Sequence, residues 1–306
     1  MTSVQILSRP LDDELRRECI YRGDLLVFTQ VAALAELCAV TDALIRSTFG
    51  DLDPVTAQFE LDRSDYLARV ASLQKEYRKH PEARRLFRAA LEHVGVAVWR
   101  TCWDWLYLRV LPYGEDYTSR RTAKLGFHRD TWSSNIYSQT NWWAPIYPIT
   151  ADRTIAFYPS YWSRPIANTS SGWDLELIRA RQRGEEAGKA AAIPVVPEPS
   201  EPVDTTAELR MVIEPGDLLC FSGAHLHASV PNTSGVTRFS LEARTVDVDD
   251  VASRRGAPNV DGRAPRIPLD WFRHIEDDTL LPELLVREER RDEIRLGGNS
   301  PLDSSN

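Results

Sequence analysis

From Trp103 to Val246 the chain is written largely in short β-rich runs separated by turn residues, and this pattern constrains its fold more than any other feature. WDWLYLRVLPYG (103–114) has the bulk and branching of a strand closed by Pro112 and Gly114. NIYSQTNWWAPIYPI (135–149) and RTIAFYP (153–159) read as two more, MVIEPGDLLCFSG (211–223) places a Pro-Gly-Asp turn between apolar runs, and RFSLEARTV (238–246) alternates. The first third is different. YRGDLLVF (21–28) is a short apolar strand candidate. Residues 31–48 repeat Leu34, Leu37, Cys38, Leu44 and Ile45 at helical spacing before Gly50, and 63–95 hold one or two charged-faced helices. His80 and His93 fall in that helical stretch and read as surface or capping residues. Helices followed by strands predict an α+β chain with a β-sandwich or barrel in its C-terminal two-thirds.

A chain of 306 residues with 42% hydrophobic content has enough apolar surface for one large core. We expect a single domain over 1–275, with the β core at about 103–250. Within it, Pro194, Pro197, Pro199 and Pro202 mark a proline-rich surface insertion at about 181–208, read as a lid or a linker. Residues 276–306 read as a charged helix and a disordered tail. Cys19, Cys38, Cys102 and Cys220 form no CxxC pair and read as buried thiols of a reducing compartment. A net charge of −8 gives no electrostatic footprint for nucleic acid, no run reaches a membrane span, and no apolar leader is evident. The expectation is therefore a cytoplasmic chain without nucleic-acid or membrane partners.

The chemistry concentrates in LGFHRDTW and HLHASVPN. His128 and Asp130, two positions apart on extended backbone, point to the same side and can reach one metal. A third ligand must come from a distant strand, and His227 or His225 supplies it. Two histidines and one carboxylate on one face of an octahedral ion leave open positions opposite, the facial triad of non-haem iron(II) oxygenases. Arg238, eleven residues after His227 and on the next strand, offers a bidentate fork to a carboxylate, and Ser229 shares a face with His227.

On these residues the chain resembles the phytanoyl-CoA dioxygenase-like branch of the iron(II)/2-oxoglutarate oxygenases. The resemblance spans about residues 20–250 and is most specific at H-x-D and at HASVPNTSGVTRFS (227–240). It implies a double-stranded β-helix (jelly-roll) core with the N-terminal helices packed on it. It also implies iron held by His128, Asp130 and His227, and 2-oxoglutarate held by Arg238 and Ser229. The spacings to Ser229 and Arg238 favour His227 over His225. Pro159-Ser160-Tyr161-Trp162 lacks the Gly and His that the family has in the corresponding loop. Counting back without gaps puts Trp142, with Thr140, beside the cosubstrate, with Asn141 and Trp143 facing away; a one-residue slip exchanges the two sets. Trp132, Trp143, Trp162 and Trp173 are candidate walls of a substrate pocket. The implied activity is a dioxygenase using iron(II), 2-oxoglutarate and O2 to hydroxylate a small metabolite, with release of succinate and CO2. A cupin-like metal-dependent isomerase and a non-catalytic jelly-roll binding module are the competing readings.

Overall fold

The architecture is organised around β10, a ten-residue strand at Arg238–Asp247. Its alternation sends Phe239, Leu241 and Ala243 into one apolar layer, while Arg238, Ser240, Glu242 and Arg244 take the opposite face. The computed structural model describes residues 2–117, 119, 122, 124–176, 178, 180 and 196–286. In chain order the strands are β1 (Val4–Leu7), β2 (Leu25–Phe28), β3 (Thr101–Trp103), β4 (Tyr107–Leu111), β5 (Thr140–Pro145) and β6 (Ile155–Phe157). They continue with β7 (Leu209–Met211), β8 (Leu218–Ser222), β9 (His227–Ser229), β10 and β11 (Arg273–His274). One sheet runs β1-β2-β8-β5-β10-β3-β11, with β4 also paired to β10; a second runs β7-β6-β9.

Helices α1 (Asp13–Tyr21), α2 (Ala32–Phe49), α3 (Arg63–Tyr77) and α4 (Pro81–His93) precede most of the sheet. The apolar stripes of α2, α3 and α4 close over one face of the large sheet: Leu37, Phe49, Val70 and Phe87 belong to the same core as Leu108, Trp142 and Phe239. The other face meets the small sheet through Leu25, Trp143, Leu219 and Phe221 against Ile155, Phe157 and Met211. Two facing sheets with helices outside one of them make the expected mixed α and β architecture. A full double-stranded β-helix is not traced by these strands. After β6 the chain turns into 3₁₀ segments at Pro159–Tyr161 and Ser170–Gly172, where prolines and short polar residues cannot extend the smaller sheet.

Several boundaries differ from the sequence expectation. The run 103–114 breaks into β3 and β4 because the Asp104 carboxylate accepts from the backbone N–H of Trp105 and of Arg244, at 2.6 and 3.0 Å. The run 135–149 is a strand only at β5, and Thr131–Ser134 before it is a short helix. β1 and α1 were not anticipated. The helix over 31–48 ends as expected: Gly50 adopts φ 68° and its N–H closes on Arg46 O at 2.8 Å. His80 is the cap of α4, its Nδ1 accepting from Ala83 N at 3.2 Å. The four cysteines are buried and free. Of the expected proline-rich insertion, 181–195 lie outside the described residues, as do 287–306 of the expected charged helix and tail; 281–286 are helical. Among the described residues, no helix is long and apolar enough to cross a membrane.

Phe49 joins the helical layer to the sheet, its ring 5.8 Å from Tyr66 and 6.4 Å from Phe239, beside Arg238. Phe49→Ala should lower stability by about 3–5 kcal/mol, the cost of a large aromatic cavity. Urea unfolding followed by tryptophan fluorescence measures this, and a loss below about 1 kcal/mol would show that the layers are held together elsewhere.

Candidate metal centre

The centre is assembled where the loop carrying His128 meets β9. His128 and His227 exchange backbone hydrogen bonds, N to O at 3.0 Å in each direction, so the two residues stand directly opposite one another. Their rings are consequently 4.2 Å apart between centroids. Each imidazole Nδ1 lies against a backbone carbonyl: His128 against Gly126 O at 2.8 Å, and His227 against His225 O at 3.0 Å. A carbonyl can only accept, so Nδ1 carries the proton in both rings and each Nε2 presents a lone pair. Burial, reinforced by the neighbouring His227, holds His128 well below the usual imidazole range, and it stays neutral and available as a ligand.

Asp130 completes the set by a route different from simple strand alternation. It sits at φ −62°, ψ −31° at the entry to the helix Thr131–Ser134, so the chain bends after His128 and delivers the carboxylate sideways. One ligand atom from each of His128, Asp130 and His227 lies within 4.8 Å of the others, with His227 Nε2 and Asp130 Oδ2 3.7 Å apart. Ligand bonds of about 2.1 Å put cis donors roughly 3 Å apart, so an ion would draw the three slightly inward. Burial raises the Asp130 pKa, but His227, Arg244, His128 and the Asn141 amide together outweigh it and hold the group below the usual carboxylate range. The donor set fits a divalent transition metal.

Two residues that sequence reasoning assigned elsewhere or passed over orient this carboxylate. Asn141 Nδ2 donates to Asp130 Oδ2, and Gln139 Nε2 donates to Asn141 Oδ1 at 2.8 Å. Arg244 approaches Asp130 Oδ1 at 3.6 Å while its Nε holds Asp104 Oδ2 at 2.9 Å. A Cβ at Gly223 would stand 2.9 Å from Gln139 Nε2 and 3.3 Å from Asp130 Cβ, so a side chain there would displace the amide that holds Asn141.

The triad opens into a cavity of about 390 Å³ between the two sheets. Arg238 and Ser229 line it, as do Tyr107, Arg109, Glu242 and Arg244. Arg238 is 4% exposed; its NH1 donates to Thr154 O at 2.8 Å, whereas its Nε has no partner. Among the described residues, no carboxylate forms an ion pair with it. Burial pushes its pKa down to about 10, partly countered by Glu242, so it is still a cation at neutral pH.

The alternation expected for β5 runs the other way. Asn141 and Trp143 face the centre, and Thr140 does not line the cavity. Trp142 touches its wall, but the indole Nε1 donates to Thr245 Oγ1 at 2.8 Å and the ring lies in the helix-side core beneath Arg16. Of the four candidate wall tryptophans, Trp143 and Trp173 line the cavity. Trp132 is fully buried in a separate cluster, and Trp162 leans on His225 at 4.4 Å. Trp271, unanticipated, joins the wall. His225 is buried beside Phe157, Phe221 and Trp162, outside the cluster of potential ligands.

No family model and no curated protein matches the chain. Among solved structures it is similar to the epimerase SnoN in complex with Fe3+, alpha ketoglutarate and nogalamycin RO, at 13% identity and TM-score 0.41 over 76% of this chain and 83% of that one. EvdO2 from Micromonospora carbonacea var. aurantiaca gives 14% and 0.42, over 79% of this chain and 93% of that one. The non-heme alpha ketoglutarate dependent carbocyclase SnoK from nogalamycin biosynthesis gives 13% and 0.40, over 86% and 98%. At these identities and scores the likeness transfers neither reaction nor substrate to this chain.

If the three residues are the metal ligands, iron(II) added anaerobically should raise the melting temperature of the wild type, by the equivalent of about 2.7 kcal/mol at a hundredfold excess over Kd. His128→Ala and His227→Ala should abolish that response, and His225→Ala should keep it. Asn141→Leu, which frees the Asp130 carboxylate, should weaken iron binding about 10–100-fold. Loss of the response in His225→Ala with its retention in His227→Ala would overturn the assignment.

Proposed function

We propose that this chain is a non-haem iron(II)/2-oxoglutarate-dependent dioxygenase of the phytanoyl-CoA dioxygenase-like kind, hydroxylating a small organic molecule. The observation that carries the reading is the pairing, in one cavity, of a His-Asp-His cluster with a buried arginine that has no carboxylate ion pair among the described residues. Burying a guanidinium without a carboxylate in contact costs several kcal/mol, and a fold tolerates it where an anion arrives to complete the site. A dicarboxylate that reaches from the metal to Arg238 answers both features at once. A metal-dependent isomerase without a cosubstrate has no use for that arginine.

In this reading the cofactors are iron(II), 2-oxoglutarate and O2. Bound iron with these cosubstrates supplies oxidative decarboxylation to succinate and CO2 coupled to oxidation of the substrate. The chain's own residues do the rest. His128, Asp130 and His227 would hold the ion, three protein donors being a set that leaves coordination positions for cosubstrates. Arg238 would bind the distal carboxylate of the cosubstrate, with Ser229 also on the cavity wall. Asn141 and Arg244 hold Asp130 from opposite oxygens, so that the carboxylate keeps its orientation through the cycle. Trp143, Trp173 and Phe221 exclude water and present an apolar wall to the substrate. The cavity volume is that of a small-molecule site.

Arg238→Ala should raise the 2-oxoglutarate concentration required for succinate release by more than tenfold, in keeping with about 2–5 kcal/mol for one half of a buried charge pair. Arg238→Lys should recover only part of it, since an ammonium is a point donor and not a fork. Succinate release measured against 2-oxoglutarate concentration makes the comparison. An unchanged requirement in Arg238→Ala would remove the cosubstrate from the reading.

A further inference from the structure

Adjoining the cavity lies a second cleft of about 410 Å³, lined by Lys75, Arg78, Lys79, Trp105, Tyr107 and Arg109 together with Gln74 and Leu108. Tyr107 and Arg109 line both spaces, so the cleft and the cavity of the metal centre share a wall. The concentration of cations is unexpected in a chain of net charge −8. Lys75 and Arg78 belong to the last turn and cap of α3, where the helix dipole favours positive charge. That accounts for cations on the helix. It does not account for their convergence with Arg109, which comes from the sheet.

The cleft is also organised. The Arg78 guanidinium lies over Trp105 at 4.2 Å and near Tyr107 at 5.6 Å, and Arg273 approaches Trp105 at 5.9 Å. Such stacking satisfies the face of the guanidinium and leaves its in-plane N–H donors directed outward, the geometry that receives an oxyanion. Arg109 is paired with Glu242 at 3.1 Å, both partly exposed. Among the described residues, no carboxylate pairs with Lys75, Arg78 or Lys79. On the inner side of Arg109 the walls are aromatic and aliphatic, through Trp143, Trp173, Leu175 and Ile178.

We infer that the cleft is an anion subsite, and that the substrate has an apolar, ring-bearing body for the cavity and a carboxylate or phosphate group that Lys75, Arg78 and Lys79 hold outside it. Arg109 stands at the junction, where it can exchange Glu242 for the arriving anion. The link to a substrate rests on the proposed oxygenase reading, whereas binding of the anion requires neither iron nor turnover.

The test uses the full chain and calorimetric titration with three naphthalene probes: 1-naphthyl phosphate, 1-naphthoate and uncharged 1-naphthol. The variant is Lys75→Gln/Arg78→Gln/Lys79→Gln, which removes the three charges, leaves polar side chains and alters exposed positions only. Naphthyl phosphate or naphthoate should bind the wild type at least tenfold more tightly than the variant, with inorganic phosphate competing. Naphthol should bind both proteins equally, which also reports that the variant is folded. The stronger of the two anionic probes identifies the favoured group. Equal binding of the anions to wild type and variant would overturn the subsite, as would no binding of either anion at millimolar concentration. Absent succinate release with intact, charge-dependent probe binding would instead sink the oxygenase reading and leave the subsite standing.

Discussion

Two backbone hydrogen bonds, exchanged between His128 and His227 at 3.0 Å, are the constraint on which the functional region depends. They tie a loop that follows β4 to a three-residue strand about a hundred residues further along the chain. They also settle the approach of both rings before any ligand is present. Because each Nδ1 is already committed to a carbonyl, the only lone pairs left point at the same spot. β9 is in turn held by β6, where Phe157 is the register partner of His227 and Ile155 that of Ser229. Metal ligand and cavity wall are thus set by one short ladder.

The charged groups around this ladder form a graded arrangement. Asp130 is held on one oxygen by Asn141 and approached on the other by Arg244, which is itself anchored by Asp104. Arg238 has only a backbone carbonyl and an unpartnered Nε. In a low-dielectric space these differences are large. The satisfied groups resist rearrangement, and the unsatisfied one sets where an anion gains most. Helices α2 to α4 contribute by sealing the opposite face of β10, which forces its polar residues toward the centre.

How much of this the sequence discloses follows from which strands alternate. β10 alternates cleanly, so placing Arg238 on the cavity side also implies Glu242 and Arg244. β5 does not alternate, because all six of its residues are buried, with helices on one side and the second sheet on the other. Its hydrophobicity therefore does not distinguish the two faces, and Asn141 and Trp143 take the side that gap-free counting gives to Thr140 and Trp142. β1 is half exposed at a sheet edge and has no distinct periodicity. α1 buries Arg16 and Arg17, the latter paired with Asp13 and Asp250, and buried arginines read from sequence as surface. Trp271 reaches the cavity from a segment with no strand of its own, which no local pattern announces. The His-Asp-His cluster is legible for a different reason: histidine is scarce, six in the whole chain, and His128 and Asp130 stand two positions apart.

In the proposed function, one metal and one dicarboxylate share the space between the His-Asp-His cluster and Arg238. Crystals grown anaerobically with iron(II) and 2-oxoglutarate, with diffraction data collected on both sides of the iron absorption edge, test it most directly. The expected result is a single anomalous peak bonded to His128 Nε2, His227 Nε2 and an Asp130 oxygen, with 2-oxoglutarate extending from it to the Arg238 guanidinium. Iron bound at another set of residues, or a cosubstrate that leaves Arg238 without a carboxylate, would contradict it.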